Sequence, residues 1–198
     1  MTAVPGISMG TGTASSCAGV GTEQSITDPT GDLQNNFYPG RKVSGYATAD
    51  ITRATIARSA TVLCLDVHTV KPASRRNGDG FTWNLRALTG GVGNSAPEIV
   101  VSFGRWHSHW LIAVSSPRIE TRPLPGTVRQ SGDDITLTID RSEVPSTVST
   151  EQFQWSVNSV VDVPHTGSEQ VYDCVPNGKD PAYPPGTPPP MRPARCVL

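Results

Sequence analysis

Apolar and polar residues alternate along much of this chain with the period of two that belongs to strands, not the 3.6 of helices. Ala60 to Thr69 places Thr61, Leu63, Leu65 and Val67 on one face. Phe81–Leu88 alternates strictly, with Phe81, Trp83, Leu85 and Ala87 together. Asp134–Asp140 turns Ile135, Leu137 and Ile139 inward and its polar residues outward. Glu98–Phe103, Trp110–Val114 and Phe153–Val157 complete the series, and Trp83 and Trp155 fall in the inward phase. Apolar positions never persist at helical spacing beyond about two turns, so helix content is expected to be low. Short strands divided by turn residues predict a two-sheet antiparallel β-sandwich.

The ends break this pattern. Residues 1–24 are rich in Gly, Ser, Thr and Ala and read as an extended arm. Residues 176–198 are dense in proline, which opposes helix and central strand and favours polyproline II. The sandwich is therefore expected over 25–175. Composition fits this division: 19 Gly and 18 Pro stand beside a hydrophobic share of 36%. The formal net charge of -1 supplies no basic excess, which argues against a general nucleic-acid binder. No segment reads as a membrane span. Met1–Val20 has neither a basic start nor a continuous apolar stretch, so the chain as given shows no secretory signal.

The four cysteines, Cys17, Cys64, Cys174 and Cys196, form no CxxC pair, so a zinc ribbon is not expected. Disulfides in an extracytoplasmic protein fit better. Three connectivities are open. We favour Cys174–Cys196, tying the Pro-rich segment to the last strand, with Cys17–Cys64 anchoring the arm; Cys64 also sits in an apolar run where a buried free thiol would be unremarkable.

The order of segments carries a resemblance. Ile26-Thr-Asp-Pro-Thr-Gly-Asp32 is followed by Ala49–Ile56, the strand with Cys64, an aromatic strand around Trp83, Glu98–Phe103, Gly132–Pro145 and Phe153-Gln-Trp155. This order is similar to the DOMON-like and family 9 carbohydrate-binding-module-like jelly rolls of secreted bacterial proteins. The resemblance spans roughly 26–175 and implies a jelly-roll-like sandwich. Members bind sugars, haem or no known ligand, and related jelly rolls carry structural calcium near the first turn.

Asp28-Pro-Thr-Gly-Asp32 places two carboxylates either side of a tight turn, where they could converge on one hard cation. Calcium takes six to eight oxygens, so Asp50 and Asp173 are expected as further ligands with backbone carbonyls. The plainer alternative is an Asx turn in which each Asp caps local N–H groups. Arg105-Trp-His-Ser-His-Trp110 is the other unusual segment: two Trp flank a His-Ser-His tip expected at a hairpin end. Flat indole faces stack well on the C–H faces of sugars. His107 and His109 could share a metal, although no third ligand lies near in sequence. The alternative makes Trp110 the start of a core strand and Trp106 a cover for the sandwich edge.

Haem would need axial ligands that the available Met residues, in the irregular ends, do not offer. No nucleophile elbow, HExxH helix or phosphate loop is present. The expectation is a non-catalytic, exported or cell-surface binding module, without a membrane span or a nucleic-acid partner. Carbohydrate or a cell-surface polymer would bind through Trp106 and Trp110, with His107, His109 and Arg105 assisting. The alternative is a structural protein of a virion, filament or surface layer, whose arms contact neighbouring subunits.

Overall fold

The computed structural model describes residues 17–35, 43–73, 79–87, 98–106, 109–116, 119–144, 153–163, 169–175 and 191–193. In chain order the strands are β1 (Thr22–Thr27), β2 (Gln34–Asn35), β3 (Ile51–Arg58), β4 (Val62–Thr69), β5 (Gly80–Ala87), β6 (Glu98–Trp106) and β7 (His109–Ser116). They continue with β8 (Ile119–Pro123), β9 (Gly126–Ser131), β10 (Asp134–Asp140), β11 (Phe153–Asp162), β12 (Gln170–Val175) and β13 (Met191–Pro193). One sheet runs β1-β3-β4-β10-β9; the second runs β2-β12-β11-β5-β6-β7-β8. All pairings are antiparallel except that of β13, which lies parallel to the first residues of β11. The chain is an all-β sandwich.

Alternation explains the core. Leu63, Leu65 and Val67 of β4 and Ile135, Leu137 and Ile139 of β10 face Trp83, Leu85, Phe103, Phe153 and Trp155 of the second sheet, all fully or almost fully buried. Both inward-phase Trp residues are core, as the sequence pattern predicts. Trp155 also satisfies its indole N–H, donating to Gln24 at 3.1 Å. At one pole β1, β4, β6, β9 and β11 end while β3, β5, β7, β10 and β12 begin. That pole collects most of the buried polar residues.

β1 starts at Thr22, within the last residues of the expected extended arm, and Cys17, fully buried, anchors that arm through the favoured bridge. Cys17 bridges Cys64 across a separation of 47 residues, and the pair packs with Ala57 and Val20 on the outer face of the first sheet. The bridge holds a segment whose Gly/Ser-rich composition gave no strand signal. At the other end, Met191–Pro193 forms a short strand within the proline-dense segment, pairing along β11 beyond the reach of β12. Such marginal sheet positions are where proline is tolerated. Cys174 is also disulfide-bonded; Cys196, its expected partner, lies outside the described residues, as do residues 1–16. Among the described residues no helix is long and apolar enough to cross a membrane.

Candidate metal centre and the adjacent cleft

Four carboxylates reach the polar end of the sandwich from separate parts of the chain. Gln24 and Ile26 of β1 point inward, and Asp28 continues that phase just past the strand, its N–H donating to Thr52 O at 2.9 Å. Gly31 then adopts φ +78°, a left-handed conformation natural for glycine, and the chain reverses to deliver Asp32. Asp50 precedes β3 and accepts the Gly31 N–H at 2.9 Å, so it pins that turn. Asp173 lies on β12 opposite Ser159 of β11 and shares its inward phase. Its carboxylate accepts the Ile51 N–H at 2.6 Å and the Cys174 N–H at 2.7 Å.

The result is compact. One carboxylate oxygen from each of Asp28, Asp32 and Asp173 lies within 4.8 Å of the others. Oxygens on opposite sides of a calcium ion, each at about 2.3–2.6 Å, stand about 4.6–5.2 Å apart, so these three fit one coordination sphere. Asp50 is 5% exposed, and its Oδ1 is buried without a hydrogen-bond partner. Such an atom costs free energy unless something charged or polar meets it. Burial raises the Asp50 pKa, the Gly31 N–H lowers it, and Asp32 raises it again. Burial, opposed by the Ile51 N–H and reinforced by Asp28 and Asp32, pushes Asp173 up to about 8. Crowded acids of this kind either hold protons or share a cation.

Three of the four residues expected as metal ligands, Asp28, Asp32 and Asp173, come together, and Asp50 stands against their turn through the Gly31 N–H. The hairpin residues fare differently. β6 and β7 form the expected hairpin, but Trp106 pairs with His109 and Arg105 with Trp110. Trp110 is half-buried, tilted against Phe103 at 6.1 Å between centroids, with the Arg105 guanidinium 4.4 Å from its ring centre. Arg105 donates onward to Gln130 at 2.7 Å, and Gln130 donates to Ala73 O at 3.2 Å, linking the two sheets. His109 is exposed. His107 and Ser108, at the tip, lie outside the described residues, so the His107–His109 pair does too.

Trp110 lines a small cleft shared with Thr48, Asp79, Phe81 and Ser159. Asp79 is buried and accepts the Asp162 N–H at 3.1 Å. Ser159 carries a sequence signal of its own: it is the polar inward position that ends the run Phe153, Trp155, Val157.

Comparison with protein-family models, with curated proteins and with solved structures finds no match in any of the three. The fold and the site define an all-β sandwich with a convergent carboxylate cluster at one pole.

Proposed function

We propose that this chain is an exported, non-catalytic binding module stabilised by a calcium ion, with carbohydrate or a cell-surface polymer as its ligand. The observation that carries the reading is the meeting of Asp28, Asp32 and Asp173 within 4.8 Å. A buried, half-satisfied Asp50 beside them strengthens it. Asp28, Asp32 and Asp173 would hold the ion, with Asp50 the fourth carboxylate; oxygen-only, carboxylate-rich donor sets suit calcium better than magnesium, which keeps its waters. When bound, the ion supplies positive charge that replaces protons on the cluster and draws the β1–β2 turn toward β12. The Cys17–Cys64 bridge favours an oxidising compartment. The half-exposed ring of Trp110 is the aromatic face offered to a sugar, since flat aromatic faces stack on the C–H faces of sugar rings.

The test is retardation of the purified chain in gels containing bacterial and plant polysaccharides, with calcium and with chelator. Retardation in calcium that is lost with chelator or in Trp110→Ala supports the module. Unchanged mobility in every gel, with calcium bound, removes carbohydrate as the ligand.

A further inference from the structure

The two sheets treat their open edges differently. In the second sheet β2 has only two residues, and β8 ends in Pro123 beside an irregular register with β7. In the first sheet β9 begins next to Pro125, at a corner where a Cβ on Gly126 would lie 3.0 Å from the Ile112 side chain. Proline, shortness and irregularity of this kind keep sheet edges from pairing with other chains. β1 has none of them. Its six residues run in unbroken register with β3, contain no Pro or Lys, and expose Thr22, Glu23, Ser25 and Thr27. The Asp28 N–H donates to Thr52 O, and antiparallel pairing alternates, so Thr22, Gln24 and Ile26 turn their main-chain groups toward β3. Those of Glu23, Ser25 and Thr27 point off the open edge, where no other described strand pairs with them.

We infer that β1 is a homodimerisation edge: a second copy of this chain adds its own β1 antiparallel to it, about a two-fold axis at Ser25. The open-edge groups are self-complementary. With Ser25 opposite the partner's Ser25, Glu23 falls opposite the partner's Thr27 and Thr27 opposite the partner's Glu23. All three residues then exchange N–H and C=O bonds across the axis. Directly opposed residues share a face, so Glu23, Ser25 and Thr27 stay on the outer face while Gln24 meets the partner's Ile26 on the inner one. No like charges oppose each other, because Glu23 is the charged residue of the strand and faces a threonine. Centring on Gln24 instead would leave Thr27 unmatched. The product is one continuous sheet, five strands from each copy, with closed two-fold symmetry. An edge bonded mainly through the main chain buries little apolar area, so the dimer is a weak one. The inference goes beyond the proposed function and needs neither the cation nor the ligand; for a polymeric ligand, two sites on one particle strengthen retention.

The experiment uses the purified full chain with its disulfides intact. Sedimentation velocity from about 1 µM to 1 mM, the range of weak affinities, should show a reversible monomer–dimer equilibrium. Ser25→Lys, at an exposed position, sets two ammonium groups face to face on the axis and should weaken the dimer about tenfold or more. A hydrogen-bonded pair holds its Cα atoms about 5.5 Å apart, within disulfide reach. Under mild oxidation Ser25→Cys should therefore link to its own copy, whereas Glu23→Cys, placed opposite the partner's Thr27, should not. A wild type that stays monomeric at every concentration, or a dimer untouched by Ser25→Lys, overturns the inference. Equal linking of the two cysteine variants overturns the axis at Ser25. Assemblies that grow beyond two copies contradict a closed pair. Should Ser25→Lys not fold, the wild-type sedimentation and the two cysteine variants decide the matter.

Discussion

Asp173 accepts the main-chain N–H of Ile51 at 2.6 Å, joining an inward carboxylate of one sheet to the first residue of a strand in the other. The bond lies beside a register shift in β3, between Ile51 and Arg53, where the ladder to β4 is irregular. Bulges of this kind re-aim groups near functional sites. Here the irregularity leaves the Ile51 N–H directed across the sandwich, so Asp173 links the two sheets and carries an acid into the interior.

That burial makes the stability of the metal-free protein depend on pH. Asp173 titrates near 8 in the folded state against 3.8 for the ordinary carboxyl, so between those values the folded state holds the extra proton. The Asp173 contribution to stability is fully present below about 4 and is lost as pH rises toward 8, with a limiting slope of about 1.4 kcal/mol per unit. Asp50, also raised, adds in the same direction. Urea midpoints at pH 5, 6.5 and 8 in chelator should decline in that order; a rise across the window would contradict the account.

Asp173→Asn should abolish the calcium response and flatten this pH dependence. The amide oxygen still accepts one N–H, and no charge has to be buried. At pH 8 in chelator the variant should match or exceed the wild type in thermal midpoint, whereas the wild type should overtake it when calcium is added. A variant still stabilised by calcium would argue against Asp173 as a ligand.

Removing the Cys17–Cys64 bridge by the double substitution to Ser should cost about 4 kcal/mol, the loop-closure value for a separation of 47 residues. Denaturant unfolding measures it. A loss well under 1 kcal/mol would mean that the unfolded chain is already constrained.

Gly80 should tolerate no side chain. A Cβ there would lie 2.5 Å from Phe103 O and 2.7 Å from the Gly104 Cα, both backbone atoms, whereas at Gly104 the nearest atom would be 3.3 Å away. Gly80→Ala should therefore destabilise by about 1–3 kcal/mol, and Gly104→Ala by clearly less. Equal thermal midpoints for the two variants would refute the close approach of β5 and β6.

Much of this was readable from residues alone. Leu63, Trp83, Ile135 and Trp155 declare their inward phase because each stands in a strict two-residue alternation. The first turn also declares itself, since Pro29 and Gly31 between Asp28 and Asp32 leave few conformations. The register of the β6–β7 hairpin did not follow from spacing. Trp106 and Trp110 flank the tip symmetrically in sequence, yet cross-strand pairing sets Trp110 against Arg105 and Trp106 against His109. Register depends on loop length and turn type, which the His-Ser-His tip does not specify. β1 gives no strand signal, and β12 only the last-strand place expected for Cys174, for another reason: Thr22–Thr27 and Gln170–Val175 mix polar residues into inward positions, Gln24 and Asp173 among them. Those inward polar residues are the ones that bond across the sandwich or build the cluster.

Titration of the chelated full chain with calcium at pH 8 in a calorimeter, beside Asp28→Asn and Asp173→Asn, tests the cation site most directly. The account predicts one saturable site per chain, release of protons on binding, and at least tenfold weaker binding in each variant. No heat in the wild type, or the same affinity in both variants, would contradict it.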